Sequence, residues 1–183
     1  MIRYVLATLL MTTSALAQDT GLALWGKIYE VFSHPRCANC HVGPDNAPMW
    51  SGPEYGPAAR PHGMNVTGGA SRTGVEHIAC SACHMDHNAQ LPHGPPGADG
   101  WHLPPISMEW FGKSSAEICA QIKDPTRNGN RAITDISEHI KSDARVQWGW
   151  APGPEREPAP YSATQLVAFL QQWDAANAPC PTK

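Results

Sequence analysis

The sequence predicts a mostly α, loop-rich protein folded as one compact domain. Several stretches repeat apolar residues at helical spacing, two of them behind a capping signature. No stretch alternates apolar and polar residues long enough to read as a strand. The 18 Pro and 16 Gly of the 183 residues crowd between the periodic stretches, where they forbid regular structure.

In chain order, residues 19–33 read as a helix capped by Asp19 or Thr20, with Leu22, Trp25, Ile28 and Phe32 on one face and Pro35 as its stop. Residues 42–75 are rich in Pro, Gly and Asn and read as a wrapping loop. Residues 76–87 fit a short helix. Residues 88–112 return to loop, punctuated by Pro92, Pro95, Pro96, Pro104 and Pro105. Ser114-Ser115-Ala116-Glu117 is a capping box that opens a helix ended by Asp124-Pro125. Ile133, Ile136 and Ile140 set a helix over 131–144. Residues 151–160 read as a Pro-rich surface loop. Ser162-Ala163-Thr164-Gln165 caps a last helix striped by Leu166, Phe169, Leu170 and Trp173.

The first 17 residues have the layout of a signal peptide: Arg3, the short apolar run Val5–Met11, then Ala15-Leu16-Ala17 as a cleavage site. The run is shorter than the roughly 20 residues of a spanning helix. The expectation is an exported chain of residues 18–183 in a bacterial periplasm, with no stable membrane insertion. The formal charge of −3 becomes more negative once Arg3 is removed. Such a balance argues against nucleic acid and favours a partner with a basic docking patch.

The chemistry is carried by two pentapeptides, Cys37-Ala38-Asn39-Cys40-His41 and Cys80-Ser81-Ala82-Cys83-His84. Cys-x-x-Cys-His is the attachment sequence for a c-type haem. Its cysteines form thioethers with the two vinyl groups of one porphyrin, and its histidine supplies the proximal nitrogen to iron. The expected cofactors are therefore two haem c, with His41 and His84 as proximal ligands. A four-cysteine zinc ribbon is the competing reading, and it leaves both trailing histidines unexplained.

The sixth iron position decides whether the chain carries electrons or binds ligands, because a thioether raises the reduction potential and an open site admits small molecules. Met64 lies 23 residues after His41 and Met108 lies 24 after His84, and that spacing favours them as distal ligands. His62 is the alternative for the first haem; His102 and His139 are alternatives for the second. His34 and His77, each three residues before a motif, are further candidates. Trp50, Trp101, Trp110, Trp148 and Trp150 suit porphyrin faces and edges. Arg60, Arg72, Arg127 and Arg131 suit propionates. Cys119 and Cys180 remain, an even leftover that fits a disulfide in an oxidising compartment.

With these motifs the chain resembles the dihaem cytochromes c. Phe32-Ser33-His34-Pro35-Arg36-Cys37, Trp101-His102-Leu103-Pro104-Pro105, Lys123-Asp124-Pro125-Thr126-Arg127-Asn128-Gly129, Trp148-Gly149-Trp150-Ala151-Pro152-Gly153 and Pro179-Cys180-Pro181 narrow the likeness. They resemble small periplasmic cytochromes labelled as accessory subunits of isoquinoline 1-oxidoreductase-type molybdenum hydroxylases. The resemblance implies a cytochrome c-like fold and electron transfer to or from a molybdenum hydroxylase or another periplasmic dehydrogenase. It does not imply an enzyme. Two rivals remain at this stage: a small peroxidase-like dihaem enzyme, and a ligand-binding module with one open iron.

Overall fold

The computed structural model describes residues 18–45, 47–92 and 94–182. The expected signal peptide, 1–17, lies outside the described residues. The described chain is mostly helical: α1 (18–32), α2 (Pro35–Ala38), α3 (Ser115–Lys123), α4 (Pro125–Asn128), α5 (Ile133–Ser142), α6 (Ala144–Trp148) and α7 (Ala163–Ala175). Two residue pairs form a minimal antiparallel ladder, β1 (Met49–Trp50) with β2 (Arg60–Pro61), in the segment expected to be only loop.

The core is a cluster of packed helices. Trp25, Ile28 and Val31 of α1 pack with Ile118 and Ile122 of α3, Ile136 and Ile140 of α5, and Leu166, Leu170 and Trp173 of α7. The α1 face differs slightly from the sequence reading: Leu24 and Val31 are buried, while Leu22 is half-exposed. The buried indoles are partnered where the helices cross. Trp25 Nε1 donates to Ser115 Oγ at 2.8 Å, and Trp173 Nε1 donates to the Pro179 carbonyl at 2.9 Å.

Helix starts follow their caps. Ser114 and Ser162 each form a complete capping box with the residue three on, Glu117 and Gln165. Asp124 and Asp143 end one helix and start the next, each accepting from the backbone two residues on. The helix expected over 131–144 is α5, and Asp143 beyond its end starts a further short helix, α6, where the sequence suggested none. The helix expected to end at Asp124-Pro125 is followed directly by α4, because proline is well tolerated at a first helical position. Residues 151–160 are not simply a surface loop: Pro152, Arg156 and Ala159 are buried.

Burial alone would raise the Asp143 pKa, but hydrogen bonds from the Arg145 side chain and backbone, with the guanidinium charge, hold it at about 2. Its ordinary value is 3.8, so its contribution to stability is fully present above that pH and is lost as pH falls through about 2. Asp143→Asn keeps a capping side chain and removes the titration. A thermal-melt series from pH 5 to pH 2 should decline less steeply for that variant than for wild type.

Cys119 and Cys180 form a disulfide with Cα atoms 5.7 Å apart, tying the C-terminal tail to α3 across 61 residues. Loop-closure entropy for such a span is worth about 4 kcal/mol. Cys119→Ala/Cys180→Ala should lower Tm by about 10 °C in calorimetry.

Candidate functional site

The two pentapeptides adopt the same local turn. The Cys40 N–H donates to the Cys37 carbonyl at 3.2 Å and the His41 N–H to the same carbonyl at 3.3 Å. In the second motif the Cys83 and His84 N–H groups donate to the Cys80 carbonyl at 3.2 and 2.9 Å. A single helical turn sets side chains three apart on one face, so each cysteine pair is presented together. The first turn continues from α2, begun by Pro35 and capped by His34, whose Nδ1 accepts from the Arg36 N–H at 3.3 Å. The second is one 3₁₀ turn, Cys80–Ala82, rather than the short α-helix expected over 76–87.

The trailing histidines are also held alike. His41 Nδ1 bonds the Met108 carbonyl at 2.8 Å, and its ring stacks on Trp110 at 3.5 Å and 2°. His84 Nδ1 bonds the Pro96 carbonyl at 2.7 Å, and its ring stacks on Trp101 at 4.9 Å and 2°. A carbonyl oxygen only accepts, so each ring carries its proton on Nδ1 and offers the Nε2 lone pair. Burial pulls the His41 pKa down to about 3 and lowers that of His84, so both are neutral bases. An imidazole fixed through Nδ1 by a backbone carbonyl is the arrangement of a metal-ligating histidine. The Pro96 carbonyl is fixed in turn by tight packing: a Cβ at Gly97 would lie 2.0 Å from the His87 carbonyl oxygen.

None of the four motif cysteines is in a disulfide. Burial pushes Cys37 up to about 12 and Cys40 up to about 11, and raises Cys80. Among the described residues no three of His, Cys, Asp and Glu are gathered as a metal-binding group.

A cavity of about 270 Å³ opens against the second motif. Cys80, Cys83 and His84 line it, Cys40 of the first motif reaches it, and Trp50, Trp101, Trp148, Leu103 and Val66 make its walls largely apolar. Two arginines that the sequence reading passed over also line it. Arg36 is buried, donating through Nε to the Glu157 carbonyl at 2.8 Å and through Nη2 to Glu54. Arg156 donates to the Tyr55 hydroxyl at 3.0 Å and to the Pro152 and Gly94 carbonyls. Adjacency to the first motif was the one sequence signal for Arg36; Arg156 had none.

The sequence-predicted distal residues fall differently from their expected pairing. Met64 and His62, assigned by spacing to the first motif, line the cavity of the second. Met108, assigned to the second, is buried in the helical core beside the first, with its carbonyl on His41. His139 lies on α5, 3.5 Å from Asp143, and is near enough to His41 to help depress its pKa. His102 is engaged by Arg145, which contacts both ring nitrogens. Arg72 and Arg127 hold backbone carbonyls of Pro104 and Ser107. The indole Nε1 groups of Trp110 and Trp150 are buried with no hydrogen-bond partner.

Around the second motif the residues suit such a cofactor: paired cysteines on one turn, an imidazole with a free Nε2 and a largely apolar cavity. No family model, curated protein or solved structure matches this chain.

Proposed function

We propose that the chain is a periplasmic dihaem cytochrome c, an electron carrier between an oxidoreductase and a downstream acceptor. The observation that carries this reading is the duplicated unit: cysteine pair on one turn, histidine locked through Nδ1 by a carbonyl, indole stacked on its ring. Cys37 and Cys40 hold one haem with His41, and Cys80 and Cys83 hold the other with His84. Each bound haem supplies a one-electron couple between ferrous and ferric iron. The protein's part is to fix both imidazoles so that little moves on oxidation or reduction, and to exclude water with tryptophan and leucine walls.

The Cys40 thiol lines the cavity of the second motif and feels the charge of Cys80, so the two attachment sites are neighbours. That closeness suits rapid exchange between two centres. The resemblance to accessory subunits of molybdenum hydroxylases names the partner class. A potentiometric titration followed by visible and paramagnetic resonance spectra tests the reading. Two reversible one-electron transitions per chain are expected; a protein with no redox-active haem contradicts it.

A further inference from the structure

We propose that His62, from the segment after the first motif, is the second axial ligand of the haem carried by the second motif, opposite His84. This rests on the dihaem reading above and gives that haem two imidazoles instead of the imidazole and thioether expected from spacing.

The two rings both line the cavity, with centroids 6.1 Å apart. An imidazole nitrogen bonds a transition metal at about 2.0–2.1 Å and its ring centre lies about 1.1 Å beyond, so two imidazoles on opposite sides of one metal have centroids about 6.2–6.4 Å apart. The 57° between the ring planes carries no penalty, since each ring turns freely about its own metal–nitrogen bond.

His62 is also prepared as His84 is. Its Nδ1 bonds the Gly63 carbonyl at 2.9 Å, so in the neutral tautomer the proton sits there and the lone pair on Nε2. Its backbone is anchored: the His62 N–H donates to the Pro48 carbonyl at 2.8 Å, directly after the β1–β2 ladder. The Trp50 ring meets it edge-on at 5.6 Å. The short ladder thus presents one histidine from the first unit to the cavity of the second. Met64, two residues on, is the competing donor. It sits in the left-handed backbone region at φ 59° and is 69% exposed.

The test uses holoprotein matured in a host that attaches c-type haem, with covalent haem counted first. A wild-type count without haem on the second motif fails the dihaem reading and this assignment with it, whereas two haems without a bis-imidazole spectrum fail this assignment alone. With both haems present, the wild-type near-infrared and paramagnetic resonance spectra should contain one bis-imidazole low-spin haem. Their absence overturns the proposal whatever the variants do. His62→Ala, keeping both haems, should take up one more carbon monoxide per chain in the ferrous state than wild type. His62→Met should add a sulfur-to-iron band in the red and raise the potential of one haem. Met64→Leu should leave all three readouts unchanged. Unchanged carbon monoxide uptake in His62→Ala, or a site opened by Met64→Leu instead, overturns the proposal.

Discussion

Cys80→Ala/Cys83→Ala is expected to halve the covalently bound haem, from two per chain to one, while the far-ultraviolet circular dichroism stays close to wild type. The asymmetry of the fold predicts the second half of that result. Trp25, Ile118, Ile136, Leu170 and their neighbours form a core to which no residue of the second motif belongs. Cys83 is exposed, and its motif is a single 3₁₀ turn between loops. The first motif is different, because Cys37 and Ala38 pack against the helical core and Trp110 bridges His41 to Phe32. Cys37→Ala/Cys40→Ala should therefore lose one haem and also lower Tm. Haem quantitation of the denatured chains, beside thermal melts, separates the two variants. Equal destabilisation by both pairs would show that the second motif is as deeply built into the fold as the first.

Arg36→Met is expected to be the most damaging single substitution outside the motifs. The Arg36 and Glu54 side chains are only 3% and 10% exposed, and they form an ion pair beside the cavity. Removing the cation leaves Glu54 with an uncompensated buried charge, a loss of about 3–5 kcal/mol and so of about 10 °C or more in Tm. The guanidinium also holds the Glu157 carbonyl and lies 5.9 Å over the Trp148 ring, so residues 151–160 should loosen with it. Adding Glu54→Met to Arg36→Met removes the stranded carboxylate and should recover a large part of the loss. A double variant as unstable as the single one would place the cost in packing rather than charge. Calorimetry of the three proteins decides this.

The parts of this fold legible in the sequence are those whose causes are local. A capping box spans four residues, and Ser114 and Ser162 announce α3 and α7 without help from elsewhere. The cysteine-histidine turns are likewise written in five residues each. The disulfide followed from counting, since four of six cysteines were already assigned. What failed to show was whatever depends on contacts distant along the chain. Ile133, Ile136 and Ile140 announce α5, but α6, started by the same Asp143 that ends α5, carries no such stripe and did not show. Proline content marks 151–160 as irregular but does not say which way it faces, and Arg156 there is buried. Spacing from each motif suggested Met64 for the first and Met108 for the second. The chain instead folds 62–64 across to the second motif and tucks Met108 behind His41. Sequence distance to a motif counts residues within one unit, whereas residues 62–64, which follow the first motif, line the cavity beside the second.

Four thioether bonds holding two porphyrins would survive denaturation, so intact mass measured under denaturing conditions reports them. Protein matured in a host with the attachment machinery should weigh as the mature chain plus two haems, with Cys37, Cys40, Cys80 and Cys83 blocked to alkylation after reduction. A mass equal to the bare chain, with those four thiols free to react, would contradict the account.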